Sequence, residues 1–391
     1  MDNRRALLLV VLLWIAGLGA AGQFAKIAVP FGVFAQVYPG NAAHIGWLLS
    51  IISLIGAVFG AFAGALVGAL GLRRVLIAGV VGGGLVSLWQ ALLPGFGVML
   101  VSRVLEGVTH LAIVVAAPTL IAQASPTPWR GAAMALWSTF FGAGFALFAW
   151  AGLPLVETRG VGALLAAHGV AMLSIGAVLA WVLPRDARGG AMPRFGDVMG
   201  NLGRALRSPF VAAPGVAWLF YTLTFLALLA VLPDRLPPES RAPIVAAMPL
   251  LGTGVALLLV PVLLRHVAAS WLTIAGFAAA AALVPVMGGV SVAVLCLTLY
   301  PVLGLVQGAG FAAVPELNRT GDAQALSYGL MAQTGNIGNL AGTPLLLAVL
   351  DHGGERALYL AIAAIYGAAV VVLVTLARMR RRSGLQPQAH L

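Results

Sequence analysis

The sequence predicts an all-α integral membrane protein with twelve transmembrane helices in two six-helix bundles and both termini in the cytoplasm. Composition, the spacing of apolar runs and the placement of arginine lead to this fold class. Of the 391 residues, 61% are hydrophobic and 8% are charged, whereas a soluble domain has about 25% charged residues. Because so few polar groups cannot cover a water-facing surface, lipid must surround most of the chain.

The apolar runs have the length and number expected of membrane spans. A spanning helix needs about 20 apolar residues, and the breaks between the runs carry Pro, Gly or Arg. The first run follows Arg4 and Arg5 as a signal peptide would, but its length and the many later runs predict a span. The runs are 7–37, 44–69, 75–94, 97–123, 131–153, 161–183, 209–232, 243–264, 269–287, 290–313, 323–350 and 357–377.

The longest break, 184–208, is a basic segment that we interpret as a cytoplasmic linker between an N-terminal bundle, 1–183, and a C-terminal bundle with a basic tail, 209–391. With the N-terminus inside, the cytoplasmic segments hold 16 arginines and the outer loops hold 4. Such a bias orients membrane proteins. It also explains the net charge of +11 without a nucleic-acid partner, and we expect none.

The two halves resemble each other weakly. Pro126 and Arg130 precede the fifth run, and Pro315 and Arg319, which lie 189 residues later, precede the eleventh. Repeated six-helix halves are typical of proteins that alternate between two access states. The alternative is that apolar helices resemble one another by composition alone.

Two segments are similar to motifs of the major facilitator superfamily. The fourth run contains Arg103-Val-Leu-Glu106-Gly107, which is similar to the family's R-x-x-x-G pattern. The break after the second run is similar to G-x-L-x-D-R-x-G-R-K/R, but a glycine replaces the acidic residue and Ala69 replaces the first basic one. This segment, which the resemblance identifies as the gating loop, contains Gly64, Gly68, Gly71, Arg73 and Arg74.

The fifth run differs from the family's antiporters. It contains Gly142, Gly144 and Gly152, and Pro154 directly follows it, but there is no G-P-x-x-G-G run, which favours uptake over export. The resemblance covers the whole chain in layout. It implies a two-bundle transporter whose cavity is lined by the first, fourth, seventh and tenth spans, and which works by alternating access coupled to an ion gradient.

The charged residues of the fourth run predict a functional or structural ion pair. Arg103, Glu106 and His110 are three and four residues apart, so they form one stripe on a helix. Because a charge facing lipid is costly, the stripe should face the protein interior. Either Arg103 and Glu106 form a structural pair, or Glu106 binds and releases a proton with Arg103 beside it and His110 as a relay.

Lys26 is the only lysine, and it lies in the first run at about the same depth as Glu106 and His110. A buried lysine can bind an anion. The stretch Phe24–Phe31 is also similar to the first helix of monocarboxylate transporters, which places a lysine there. The alternatives are a structural pair of Lys26 with Glu106, or a lysine that extends its side chain to the interface.

Uncharged polar residues supply the candidate sites of the second half. They are expected either to contact substrate or to form hydrogen bonds between helices. The substrate-binding candidates there are Tyr221 in the seventh run, Tyr300 and Gln307 in the tenth, and Asn336 and Asn339 in the eleventh.

These observations predict a proton-coupled secondary transporter of a small anionic, carboxylate-type solute in the cell's inner (plasma) membrane. We expect a multi-pass monomer whose partners are lipid, substrate and protons. An exporter of amphipathic drugs or metabolites is the first alternative, and a non-transporting receptor or scaffold is the second. No Walker, G-x-S-x-G or H-E-x-x-H motif occurs and Cys296 is the single cysteine, so we predict no enzyme activity, cofactor or metal site.

Overall fold

The structure is a computed structural model, and it describes residues 3–126, 139–185, 194–288 and 290–382 together with Ala133, Leu136 and Trp137. Over these residues the chain is helical and contains no strand. The predicted all-α fold is therefore confirmed. Lipid cannot hydrogen-bond the backbone, so each helix satisfies its own peptide groups.

The first half of the chain forms nine helices over its described residues. They are α1 (Asn3–Ala28), α2 (Phe31–Val37), α3 (Gly46–Ser50), α4 (Leu54–Leu70), α5 (Leu72–Gln90), α6 (Phe96–Ala124), α7 (Phe140–Leu147), α8 (Leu153–Arg159) and α9 (Val161–Val182). A 3₁₀ turn, Ile51–Ser53, joins α3 to α4, and a π-helical turn, Phe148–Gly152, joins α7 to α8.

The second half forms seven helices over its described residues. They are α10 (Phe195–Arg207), α11 (Ala212–Val231), α12 (Pro238–Gly254), α13 (Val260–Leu263), α14 (Ala269–Gly288), α15 (Val292–Leu317) and α16 (Gly321–Arg382). A second π-helical turn, Val255–Leu259, joins α12 to α13.

Ten helical segments of the described chain are long and apolar enough to cross a membrane, so the protein is a multi-pass membrane protein. Two features lower this number below twelve. The second predicted span contains the 3₁₀ turn, and its apolar helical segment Gly46–Gly60 is shorter than a spanning helix. The last helix, α16, has 62 residues and would be about 93 Å long if straight, but Gly354 breaks it with a φ of +68°.

Several boundaries differ from the sequence prediction. The first span was expected to run from 7 to 37, but α1 ends at Ala28 and Pro30 separates it from α2. A proline lacks an N–H and disfavours helix at the residue before it, so it ends the helix here. The start of the predicted fifth span, 131–153, lies largely outside the described residues. The basic linker contains the helix α10.

The chain divides into two compact units. Unit 1 comprises Met1–Gly56 and Phe62–Pro193, and unit 2 comprises Ala57–Ala61 and Arg194–Leu391. Unit 1 has an apolar core to which α1, α5, α6 and α9 contribute buried side chains. Among them are Leu13, Val80, Ile113 and Met172.

Within unit 2, a row of glycines brings α16 against α11. A Cβ atom built on Gly335 would lie 2.6 Å from the Trp218 ring, and one built on Gly342 would overlap the backbone of Leu223. Small residues at such positions let two membrane helices approach closely. The glycines of this segment therefore serve helix packing.

We expect Gly342→Ala to destabilise unit 2 by about 1–3 kcal/mol, because the added methyl group forces the two helices apart. Gly367→Ala is the matched control, since a Cβ there meets nothing within 4 Å and alanine is the better helix former. Thermal unfolding in detergent, followed with a thiol-reactive dye at the buried Cys296, measures both. Equal stability of the two variants would contradict the packing role.

Candidate functional site

Unit 1 encloses a cluster of three ionisable side chains that have no exposed surface: Lys26 on α1 and Arg103 and Glu106 on α6. Lys26 Nζ donates to Glu106 Oε1 at 2.5 Å, and Arg103 Nη1 donates to Glu106 Oε2. One carboxylate is therefore shared by two cations, and the three ionised groups carry a surplus of one positive charge.

Helix geometry explains the position of each ion. Arg103 and Glu106 are three residues apart on α6, so they share one face. Lys26 lies in the last turn of α1, where the partial negative charge of a helix C-terminus favours a cation. The two sequence alternatives for Lys26 are thus distinguished, because it pairs with Glu106 and does not extend to the interface.

The R-x-x-x-G pattern joins α6 to the second predicted span. Arg103 Nε donates to the Leu48 carbonyl at 2.7 Å, and its Nη1 donates to the Gln23 carbonyl at 2.7 Å. A Cβ built on Gly107 would overlap the carbonyl of Ile52 in the 3₁₀ turn. The arginine and the glycine therefore hold the interrupted helix against α6 at two adjacent points.

Neutral side chains of α5 complete the cluster. Ser87 Oγ accepts from Lys26 Nζ at 2.8 Å. Gln90 Nε2 donates to Glu106 Oε2 at 2.9 Å and lies 3.1 Å from Ser102 Oγ. Sequence reasoning missed these residues because, in the first half of the chain, it considered only charged side chains and His110. The available signal was their polarity within apolar runs.

His168 on α9 is the most important residue that sequence reasoning missed. Its Nδ1 lies 3.5 Å from Lys26 Nζ and 2.9 Å from Ser87 Oγ. Its Nε2 lies 3.0 Å from the Gly19 carbonyl oxygen. The only sequence signal was a histidine inside the apolar run 161–183.

His110, the predicted relay, has a different environment. Its Nδ1 lies 3.1 Å from Gln23 Oε1, and its ring meets the Phe24 ring edge-on at 4.9 Å between centroids. Gln23 in turn donates to Thr109 Oγ1 at 2.9 Å. Contact between His110 and the ion cluster thus runs through Gln23, and the relay role of His110 stays a prediction.

Two buried polar atoms of the cluster have no hydrogen-bond partner among the described residues. They are Arg103 Nη2 and Gln90 Oε1. An unsatisfied buried donor on a guanidinium group is costly. The cluster therefore combines a surplus positive charge with a buried, unsatisfied donor.

In unit 2, the structure brings two of the predicted residues together. Tyr221 Oη donates to Gln307 Oε1 at 3.2 Å, and the Tyr221 ring stacks between Trp218 and Phe225. Tyr300 is fully buried, and its hydroxyl donates to the Phe225 carbonyl at 2.8 Å. The Tyr300 bond joins α15 to α11, which fits the alternative of helix–helix hydrogen bonding.

The two asparagines of α16 are half-buried. Asn336 Nδ2 donates to the carbonyl of Ala332 in its own helix at 2.8 Å. Asn339 lies almost one turn further along α16.

The predicted gating loop is a tight connection between α4, which contains Gly64 and Gly68, and α5. Gly71 forms the break with a φ of +99°, which a glycine adopts without strain. Gly68 has no acidic group for an arginine to pair with. Arg73 instead donates to the carbonyls of Ala180 and Leu183, at 2.6 and 3.0 Å, at the end of α9. Arg74 is exposed.

Buried charged side chains in a multi-pass helical membrane protein are typical of the class of polytopic proteins that act on solutes or ions. The chain matches the Major Facilitator Superfamily over residues 9–318. It therefore belongs to this family, and it is a membrane transporter. No curated protein matches the chain significantly.

Removal of Glu106 should destabilise the protein more than removal of Lys26. Glu106→Gln leaves two buried cations side by side, at a cost of about 3–5 kcal/mol, whereas Lys26→Met leaves a neutral Arg103–Glu106 pair. Glu355→Gln, at the exposed ion pair with Arg235, should cost less than about 1 kcal/mol. The Cys296 unfolding assay compares the three variants, and a milder effect of Glu106→Gln than of Lys26→Met would contradict the charge count.

Proposed function

We propose that the protein is a proton-coupled secondary transporter of a small anionic, carboxylate-type solute and that it works by alternating access. In this mechanism Glu106 carries the proton and Lys26 receives the anion. The observation that carries the proposal is the single buried carboxylate shared by Lys26 and Arg103.

The charge of the cluster supports an anionic substrate. Two buried cations face one carboxylate, and an uncompensated charge inside a membrane protein is costly. A substrate carboxylate has the same chemistry as Glu106 and can replace it as the partner of Lys26. The additional donor on Arg103 Nη2 offers such an anion a second hydrogen bond.

The shared carboxylate also supports coupling to protons. A proton on Glu106 removes the attraction that holds Lys26 and makes Lys26 available to the anion. The anion in turn removes from Glu106 one of the two cations that keep it ionised. Each ligand therefore favours the binding of the other, which is the condition for coupling. Arg103 remains tied to the carbonyls of Leu48 and Gln23 and serves as the fixed point of the exchange.

Further groups complete the proposed mechanism. His110 is a second candidate for proton movement, through Gln23. The segment from Gly64 to Arg74 is the proposed gating element, anchored at Arg73. In unit 2 the proposed substrate contacts are Tyr221, Gln307, Asn336 and Asn339, whereas the backbone bond of Tyr300 supports a packing role.

We further propose twelve crossings, two six-helix bundles of residues 1–183 and 209–391, and cytoplasmic termini in an inner membrane. The break at Gly354 divides α16 into two lengths that can each span a bilayer, and α3 with α4 supplies another crossing. The arginine bias supports the orientation. The protein is proposed to work as a monomer.

Single cysteines test the orientation. In a Cys296→Ala background, an impermeant maleimide should label Arg159→Cys in intact cells, because Arg159 lies in a proposed outer loop. It should label Arg265→Cys only after the membrane is opened, because Arg265 lies in a proposed inner loop. Both arginines are exposed, so burial does not prevent the reaction. The opposite pattern would contradict the orientation.

Transport is tested in proteoliposomes that contain a pH-sensitive dye. An inward proton gradient and a pool of pyruvate, lactate, succinate and malate should give proton entry that requires the pool. Glu106→Gln should abolish the proton entry, and Lys26→Met should lower the apparent affinity for the pool about 10- to 100-fold, the value of a charge-assisted bond. Protein-free liposomes correct for leakage of the free acids.

The controls separate a specific loss from a folding defect. Glu355→Gln removes a carboxylate from an exposed ion pair and should transport as the wild type does. Size-exclusion profiles show whether each variant is folded. Wild-type protein without pool-dependent proton entry would overturn carboxylate–proton symport, and an unchanged affinity in Lys26→Met would overturn the role of Lys26.

A further inference from the structure

His168 is a titratable group of the buried cluster to which the proposed mechanism gives no role. It is 5% exposed, and it reaches the cluster from α9, a helix that carries none of the three ions. The Phe148 ring of the π-helical turn packs against it at 5.8 Å between centroids. The residue therefore has a defined position and orientation.

The hydrogen bond to Gly19 determines the tautomer of His168. A carbonyl oxygen only accepts hydrogen bonds, so the 3.0 Å contact with the Gly19 oxygen requires a hydrogen on Nε2. In the neutral ring, Nδ1 then has no hydrogen and is an acceptor. This free lone pair faces Lys26 and Ser87.

The donors around Nδ1 identify the partner of this lone pair. The single hydroxyl hydrogen of Ser87 is used in a 2.8 Å bond to the Leu165 carbonyl. Lys26 Nζ has three hydrogens, and its three acceptors are Glu106 Oε1, Ser87 Oγ and His168 Nδ1. Lys26 thus stands between His168 and Glu106 and is bonded to both.

The charged groups near His168 come from two helices. They are Lys26 on α1 and Arg103 and Glu106 on α6. The other elements packed against the ring contribute the neutral Ser87 and Phe148. Lys26 is the only one of these groups that both contacts Nδ1 and contacts the carboxylate.

We infer that His168 relays the coupling proton to and from Glu106 through Lys26. This inference rests on the proposed function. In the loading step an Nζ–H bond of Lys26 breaks and an O–H bond forms on Glu106 Oε1, which leaves Lys26 as a neutral amine with a lone pair. The Nδ1–H bond of protonated His168 then breaks, and a new N–H bond forms at this lone pair. His168 becomes neutral, Lys26 keeps its charge and Glu106 loses its charge. Unloading is the reverse.

The same geometry favours His168 over His110 as the relay. Among the described residues, the His110 ring bonds to the side chain of Gln23, whereas the cluster meets Gln23 at its backbone carbonyl, which accepts from Arg103. An amide neither gains nor loses a proton at neutral pH. His168 contacts Lys26 directly and lies one exchange step from the carboxylate. During loading the proton therefore passes from His168 to Lys26 and from Lys26 to Glu106.

Two rates in proteoliposomes test the relay. One is proton entry with the carboxylate pool, and the other is exchange of labelled pool against unlabelled pool at equal pH. The variant is His168→Gln, whose amide can still donate to the Gly19 carbonyl but cannot be protonated. We expect proton entry to fall by about tenfold or more, while exchange stays within about threefold of wild type, because exchange needs no proton release. His352→Gln, an exposed histidine on α16, is the control and should change neither rate.

Each of the other possible results overturns either the relay or the proposed function as well. Unchanged proton entry in His168→Gln would overturn the relay but not the proposed function. The same holds if His110→Gln, and not His168→Gln, loses proton entry while exchange continues. Loss of both rates in a folded His168→Gln would show a structural role and would also overturn it. Wild-type protein without proton entry would overturn the proposed function and the relay together.

A measurement on wild-type protein keeps the inference testable if the variant does not fold. Nitrogen-15 NMR of the six histidines distinguishes ring nitrogens with and without hydrogen. The resonance of His168 is assigned by elimination, with variants that each replace one of the other five histidines. We expect a hydrogen on Nε2 and none on Nδ1 at neutral pH. A hydrogen on Nδ1 in the neutral ring would overturn the relay.

Discussion

The Glu106 carboxylate, buried between two cations, is the interaction on which the organisation of unit 1 depends. A single acid receives Lys26 from α1, Arg103 from its own helix and Gln90 from α5. Because none of these charges can be left alone in a low-dielectric interior, the helices that carry them must meet at this point. The same requirement makes the cluster sensitive to any ligand that changes its charge, and this sensitivity links packing to transport.

The α6 helix has a second role beside its ions. Arg103 holds the Leu48 carbonyl, and Gly107 gives the carbonyl of Ile52 the space it needs. The R-x-x-x-G pattern, which is similar to a motif of the family, thus holds the interrupted helix against α6. Leu48 lies just before the 3₁₀ turn, and its carbonyl accepts from Arg103 Nε.

The sequence predicted the parts of this structure that depend on one helix at a time. Hydropathy located α6 within a residue or two, and the spacing of Arg103 and Glu106 predicted their shared face. It could not predict which histidine meets Lys26, because the contact of His168 joins residues 142 positions apart and depends on how α9 packs. The sequence also placed the end of the first span beyond Pro30, because the apolar residues continue after the helix has ended. In unit 2, hydropathy could not separate Tyr300, whose hydroxyl binds a carbonyl, from Tyr221, which meets a side chain.

The proposed stoichiometry of one proton on Glu106 and one anion on Lys26 has a consequence for the energy source. When one proton and one monovalent anion bind together, the net charge of the site is the same before and after loading. The loaded and the empty carrier then move equal charge in opposite directions, and one full cycle transfers none. The membrane potential, worth about 2.3 kcal/mol per charge at 100 mV, therefore cannot drive accumulation of such a solute. The pH difference alone would set how far the cell can concentrate it.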